Sequence, residues 1–165
     1  MPPFPWPSSV TLREVGLRDG LQSIARVLPT AQKLAWIRGA WEAGLREMEV
    51  GSFVPARLLP QLADTAELVD AAVRLPGLTV SVLVPNLKGA ARAMDSGAHW
   101  MLLPLSISHA HSLANLRKTP DAVVEEIAAI VARRRERNAA IRLEVGLSTA
   151  FGCTLQGRVA PEEVL

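Results

Sequence analysis

The chain of 165 residues is 49% hydrophobic and 21% charged, which is typical of a folded domain and excludes the low-hydropathy, high-charge class of disordered chains. Its 18 Lys and Arg residues against 16 Asp and Glu residues give a formal net charge of +2, so charge favours neither nucleic acid nor an anionic membrane as a partner. The single cysteine, Cys153, excludes an internal disulfide and suits a reducing compartment, and we expect a soluble, cytoplasmic protein.

The first nine residues differ in composition from the rest of the chain. They hold four prolines, and the first basic residue is Arg13, so the segment resembles neither a signal peptide nor an Arg-rich transit peptide. We predict that residues 1–9 form a disordered tail and that residues 10–165 fold.

Strand and helix patterns alternate along the folded part. Apolar or β-branched runs predict five strands, at residues 10–16, 47–54, 78–85, 100–107 and 142–149. Helical patterns lie between them and a further helix begins at Pro161. This order predicts an α/β fold with a parallel sheet. A barrel of eight such units takes about 250 residues, so length alone favours an open sheet.

Capping residues mark several of the helices. Thr30 is placed to cap the first, Asn86 the third, and Thr119 with Pro120 the fourth. The apolar stripes predicted to face the core are Leu34, Ile37, Trp41 and Leu45 in the first helix, and Val123, Val124, Ile127, Ile130 and Val131 in the fourth.

Polar residues lie at or beyond the end of each predicted strand. They are Arg18, Asp19, Glu49, Ser52, Asn86, Ser106, Ser108, His109, Ser148 and Thr149. Active sites of parallel α/β proteins form at the carboxyl ends of strands, so together these residues predict a site. Taken alone, Arg18-Asp19-Gly20 is also typical of a surface turn. Glu49 lies in an apolar strand, where a carboxylate is either functional or paired with Arg18 or Arg13 to order the sheet.

Other candidate motifs are weaker. His109 and His111 share a face only if they lie on a strand, and no cysteine or nearby carboxylate completes a metal site, so we interpret them as solvent-exposed or substrate-contacting loop residues. Neither of the common glycine-rich nucleotide-binding motifs occurs. Cys153 has no basic neighbour in sequence, and we interpret it as a buried, unreactive thiol without a catalytic role.

One segment carries a family resemblance. Glu-Val-Gly-Leu-Arg-Asp-Gly-Leu-Gln, at residues 14–22, resembles the first-strand signature of the hydroxymethylglutaryl-CoA lyases, within the wider superfamily of metal-dependent barrel lyases and Claisen-type synthases. Later segments agree in order: Glu-Ala-Gly-Leu at 42–45, Glu-Val-Gly-Ser-Phe-Val at 49–54, Pro-Gln-Leu-Ala-Asp at 60–64, Val-Pro-Asn-Leu-Lys-Gly at 84–89 and Gly-Cys at 152–153. The resemblance spans residues 10–165.

The resemblance implies a (β/α)₈ barrel that cleaves a 3-hydroxy-3-methylglutaryl-CoA-type thioester into acetoacetate and acetyl-CoA, aided by Mg²⁺ or Mn²⁺. It also implies roles for individual residues. Arg18 would steady the developing enolate or thioester oxygen, and Glu49 would be the essential carboxylate of the second strand. Asp19 would be a metal ligand, and Gln22 and Ser52 would line the substrate site. These roles suit a hard cation and a fixed guanidinium.

The chain also departs from the family pattern. The His-x-His pair and the Asn that complete the family's metal site, and its late catalytic cysteine, have no counterpart here, so His109, His111 and Cys153 take none of those roles. We therefore expect a partial (β/α)₈ TIM barrel of about five βα units, with unpaired edges and little or no lyase activity of its own. The partners implied are an acyl-CoA thioester and a second copy of the chain.

Two alternatives stay open. One is a condensing enzyme or aldolase of the same superfamily that acts on a keto acid. The other is a non-catalytic α/β module that serves only for association.

Overall fold

The computed structural model describes residues 6–165, so residues 1–5 of the predicted tail lie outside the described part. Residues 6–9 are exposed and form neither helix nor strand. The strands are β1 (Arg13–Glu14), β2 (Glu47–Ser52), β3 (Thr79–Leu83), β4 (Trp100–Ser106), β5 (Arg142–Ser148), β6 (Gly152–Cys153) and β7 (Gly157–Arg158). The helices are α1 (Thr30–Glu42), α2 (Thr65–Ala72), α3 (Leu87–Ser96), α4 (His109–Leu116), α5 (Pro120–Glu136) and α6 (Pro161–Val164). None of these helices is long and apolar enough to cross a membrane.

The first five strands form one parallel sheet in chain order, β1-β2-β3-β4-β5. Arg13 on β1 nevertheless donates two hydrogen bonds, of 3.0 and 2.8 Å, to the carboxylate of Glu144 on β5. A contact between the two outermost strands requires a sheet curled on itself, with both side chains on its inner face. The predicted partial barrel of five βα units is confirmed.

The core lies between the sheet and its helices. Met48, Val80 and Met101, from three adjacent strands, are fully buried. The same core includes Ile37, Leu68, Ala90 and Ile130, one from each of the four helices α1, α2, α3 and α5. Because side chains alternate along a strand, the residues in between point to the inner face, where Glu49 and Glu144 lie.

Local capping signals predict helix ends well. The Asn86 side chain accepts a hydrogen bond from Gly89 N–H, and α3 ends at Gly97 in the left-handed conformation. Thr119 accepts from Ala122 N–H at the start of α5. In the predicted stripe of α5, Val123 and Ile130 are buried, but Val124 is 52% exposed, so its assignment to the core is wrong.

Other elements differ from the prediction because tertiary contacts decide them. The first strand has two residues instead of the predicted seven, and a π-helical turn at Gly16–Gly20 follows it after Val15. The Thr30 hydroxyl does not cap α1 and instead donates to Asp64 at 2.9 Å. Helix α4 and the β6–β7 hairpin were not predicted at all.

Gly51 is required by the packing of α2 on β2. A Cβ atom there would lie 2.3 Å from Thr65 Oγ1, which donates to Leu62 O and accepts from Ser52 N–H. We expect Gly51→Ala to lower the free energy of unfolding by about 1–3 kcal/mol or more. Gly39, in exposed α1 backbone with no atom within 4 Å of such a Cβ, is the matched control. Gly39→Ala should raise stability by about 0.5–1 kcal/mol. Urea unfolding of both variants checks this, and equal effects would contradict the packing assignment.

Candidate active site

Arg18 and Glu49 form a two-point ion pair at the rim of the half-barrel. Arg18 Nε donates to Glu49 Oε1 at 2.7 Å, and Nη2 donates to Oε2 at 3.1 Å. The π-helical turn after β1 positions Arg18, and a β-bulge between Glu49 and Gly51 positions the carboxylate. Bulges re-aim side chains next to functional sites. Of the two partners open to Glu49 in sequence, the structure selects Arg18, while Arg13 binds Glu144 and Glu47.

Burial sets the electrostatics of this pair. The Glu49 side chain is only 1% exposed, and this burial raises its pKa, against the opposing effect of the Arg18 hydrogen bonds. Arg18 Nη1 also donates to Asp19 Oδ1 at 2.9 Å, and the Asp19 side chain is 64% exposed. A guanidinium has five N–H groups, and these three bonds leave two for an oxygen outside the described residues. Arg18 is therefore a fixed cation at the rim that can bind a polarised or anionic oxygen.

The two predicted lining residues lie in different settings. Gln22 is exposed, just beyond the π-helical turn that carries Arg18. Ser52 is buried at the end of β2, where its hydroxyl donates to Leu83 O at 3.1 Å and accepts from Val54 N–H. The Ser52 hydroxyl thus fixes the end of the strand. Substrate contact by either residue stays a prediction.

The metal implied by the resemblance is not matched by a complete ligand set. Nowhere in residues 6–165 do three or more His, Cys, Asp or Glu side chains gather in an arrangement that could hold a metal ion. Two carboxylates lie at this rim, those of the exposed Asp19 and the buried Glu49, and both bind Arg18. A hard divalent cation needs about six oxygen ligands, so these residues by themselves do not fit one.

A second polar cluster lies where β4 and β5 end. Ser106 Oγ is 2.8 Å from His111 Nδ1 and 3.2 Å from Ser148 Oγ. His109 and His111 lie at the start of α4 rather than in a loop, so the two do not share a face. Sequence reasoning missed this helix, although Ser108 carries a signal for it, since its hydroxyl caps His111 N–H.

The β6–β7 hairpin is attached to the start of α4. Gln156 Oε1 accepts from Ser108 Oγ at 2.9 Å and from Ala110 N–H at 3.3 Å. Cys153 is half-buried rather than buried, which corrects the sequence interpretation. The polar Ser108 side chain and hydrogen bonds from nearby backbone N–H groups lower the pKa of the Cys153 thiol. No local sequence signal identifies Gln156, because its partners lie more than forty residues away.

The two interior carboxylates predict opposite effects of pH on stability. Hydrogen bonding to Arg13 lowers the pKa of Glu144, so its contribution is present above the unfolded pKa and is lost as the pH falls through the folded pKa. Burial raises the pKa of Glu49, so its contribution is present at low pH and is lost as the pH rises through the folded pKa. We expect the free energy of unfolding of the wild type minus that of Glu144→Gln to rise from pH 3 to 7. The corresponding difference for Glu49→Gln should fall over the same range. Urea unfolding across this range checks both, and slopes of the same sign would contradict the assignment.

Comparison with known proteins identifies the family of this chain. A family model described as HMGL-like matches residues 9–165. The mitochondrial hydroxymethylglutaryl-CoA lyase of Arabidopsis thaliana is 35% identical over 158 residues, which cover 96% of this chain and 33% of that protein.

Solved structures agree with the family match. The structure of the Bacillus subtilis HMG-CoA lyase matches with a TM-score of 0.89 and 31% identity, covering 98% of this chain and 53% of that one. An HMG-CoA lyase from Acinetobacter baumannii, solved with coenzyme A and 3-methylmalate, matches with a TM-score of 0.83 and 32% identity, covering 93% and 50%. The chain spans about a third to a half of the length of these relatives. From its sequence and its fold, the chain belongs to the HMGL-like family.

Proposed function

We propose that the chain is hydroxymethylglutaryl-CoA lyase-like and acts on a 3-hydroxy-3-methylglutaryl-CoA-type thioester, whose retro-Claisen cleavage gives acetoacetate and acetyl-CoA. The observation that carries the proposal is the Arg18–Glu49 pair at the carboxyl ends of the strands. Membership of a family whose solved relatives include a lyase bound to coenzyme A supports the same reaction class.

The chemistry follows from what each group can do. The C3 hydroxyl loses its proton and C3 becomes the ketone of acetoacetate as the bond between C2 and C3 breaks. The electron pair of that bond forms the enolate of acetyl-CoA, so negative charge develops on the thioester oxygen until C2 takes up a proton. Arg18 is held by Glu49 and has N–H groups left to donate to that oxygen. Because Glu49 fixes the guanidinium in advance, little reorganisation is needed as the charge develops. We assign the thioester oxygen to Arg18 and the orientation of Arg18 to Glu49.

The family resemblance also implies a divalent cation, Mg²⁺ or Mn²⁺, which would act as a Lewis acid on the hydroxyl and carbonyl oxygens if further ligands completed its site. Asp19 would supply one carboxylate ligand, and the remaining ligands would come from outside the described residues. We therefore expect the 165-residue chain to bind the thioester with little or no turnover, and to show no Asp19-dependent binding of Mn²⁺ by calorimetry. Mn²⁺ binding that Asp19→Asn abolishes, together with acetoacetate release, would contradict this expectation.

Ligand titration tests the substrate class. We expect 3-hydroxy-3-methylglutaryl-CoA to bind the chain at least tenfold more tightly than coenzyme A alone, because only the acylated ligand offers a thioester oxygen to Arg18. Binding of pyruvate in preference to the thioester would contradict the proposal and favour the keto-acid enzyme. Binding of neither ligand would favour an association module.

A further inference from the structure

The second polar cluster lies on the same face of the sheet as the Arg18–Glu49 pair. Ser106 on β4 pairs with Ser148 on β5, four residues beyond the pairing of Leu102 with Glu144. With a side-chain period of two, both serines share the inner face with Glu144, which reaches Arg13 across the half-barrel. His111, bonded to Ser106, therefore lies on the inner side of the rim.

The protons of the two serines fix the direction of the hydrogen bonds. Ser148 Oγ donates to Leu105 O at 3.4 Å, which uses its only proton. Ser148 therefore accepts from Ser106 Oγ at 3.2 Å, and the Ser106 proton is used as well. In this order Ser106 accepts from His111 at 2.8 Å, so we assign the ring proton of His111 to Nδ1.

With the ring proton on Nδ1, Nε2 of His111 carries a lone pair, and it has no hydrogen-bond partner among residues 6–165. The chain of hydrogen bonds from Nδ1–H through both hydroxyls to the Leu105 carbonyl engages only the Nδ1 side of the ring. The backbone of His111 is also fixed, since its N–H donates to Ser108 Oγ at 3.2 Å. The ring is thus held at one nitrogen and available at the other.

We propose that His111 Nε2 accepts a hydrogen bond from the hydroxyl group of the acyl chain, an inference that rests on the proposed function. Strand β4 lies two positions from β2, a separation of about 10 Å at ordinary strand spacing. The thioester oxygen on C1 and the hydroxyl on C3 lie at most about 5 Å apart, and a hydrogen bond of about 3 Å at each end brings the reach between Arg18 and His111 to about 10 Å. His111 then selects a hydroxylated acyl group, because an acyl group without the hydroxyl leaves Nε2 unpaired.

The histidine tautomers give a test that does not depend on ligand. His99 Nδ1 accepts from Val80 N–H at 2.9 Å, so His99 must carry its proton on Nε2, the reverse of His111. Long-range ¹H–¹⁵N correlation spectra of the ¹⁵N-histidine-labelled chain at pH 8 should show His111 protonated at Nδ1 and His99 at Nε2. Ser148→Ala, at an exposed position, should shift the His111 tautomer and leave His99 unchanged. A His111 protonated at Nε2 in the wild type would overturn the inference.

Two variants of His111 distinguish the role of Nδ1 from that of Nε2. An Asn amide replaces the Nδ1 side of the ring, and a Gln amide reaches the Nε2 position. We expect His111→Asn to weaken binding of 3-hydroxy-3-methylglutaryl-CoA roughly three- to tenfold and His111→Gln to stay within about twofold of wild type, with coenzyme A binding unchanged in both. The reverse order would assign His111 a structural role through Nδ1 and overturn the inference.

Addition of the thioester to the labelled wild-type chain separates the two proposals. The His111 Nε2 resonance should shift on binding, while that of His99 should not. Thioester binding without this shift would contradict the role of His111 and leave the proposed function standing. Absence of thioester binding would contradict the proposed function and, with it, this inference.

Discussion

Arg18→Met should lower the free energy of unfolding by about 3–5 kcal/mol at pH 8, because it leaves the carboxylate of Glu49 buried without a counter-ion. The cost should be smaller at pH 5. Without Arg18, only the more distant charge of Arg13 still opposes the effect of burial on the pKa of Glu49, so the protonated form is favoured and the carboxyl is more often neutral at the lower pH. Urea unfolding at the two pH values measures both effects.

Two further variants control this result. Glu49→Gln removes the buried charge and leaves Arg18 with Asp19, so it should cost less than Arg18→Met at pH 8. The double variant Arg18→Met with Glu49→Leu should recover most of the lost stability, because an apolar pair replaces the ion pair. A loss below about 1 kcal/mol in Arg18→Met, or one that is the same at both pH values, would show that the pair is not buried as described.

Asp64→Ala should have an effect of similar size at a second buried ion pair. Lys33 is 1% exposed, and its Nζ donates to Asp64 Oδ1 at 2.7 Å and to Gln61 O at 2.6 Å. Removal of Asp64 leaves the ammonium of Lys33 buried and also breaks the hydrogen bond from Thr30. We expect a loss of about 3–5 kcal/mol in urea unfolding.

Asp70 offers a matched control for Asp64. It binds Arg74 at 2.7 Å within α2, but both side chains are largely exposed. Asp70→Ala should change stability by no more than about 0.5 kcal/mol, as is usual for a surface pair one helical turn apart. Adding Lys33→Met to Asp64→Ala should restore part of the loss. Equal effects of Asp64→Ala and Asp70→Ala would contradict the account of Lys33.

The parts of the fold that local chemistry decides could be predicted from the sequence. Asn86 and Thr119 mark the starts of α3 and α5 because their side chains satisfy backbone N–H groups three residues away. The alternation of strands and helices predicts a parallel sheet, but its curl depends on contacts between distant strands. Length alone favours an open sheet, because a complete barrel needs a longer chain. Only the family resemblance indicates a barrel.

The site could be predicted in its chemistry but not in its pairing. A carboxylate in an apolar strand is either functional or paired, so the sequence identifies Glu49 as a candidate site residue and Arg13 and Arg18 as its possible partners. The choice between Arg13 and Arg18 depends on the π-helical turn and on the bulge in β2, which no local pattern announces. Lys33 was missed because a lysine on a helix normally points to water, and only its tertiary contacts with Asp64 and with the Gln61 carbonyl show otherwise.

The affinity of Arg18→Lys for 3-hydroxy-3-methylglutaryl-CoA is the measurement that tests the central claim most directly, with coenzyme A titrated in parallel. Lysine keeps the charge but cannot bind Glu49 at two points and donate to a ligand from the same rigid group. We predict a roughly 10- to 100-fold loss of affinity for the thioester and no change for coenzyme A. Equal affinity of both proteins for the thioester, with the variant shown to be folded, would contradict the assignment of Arg18 to the thioester oxygen.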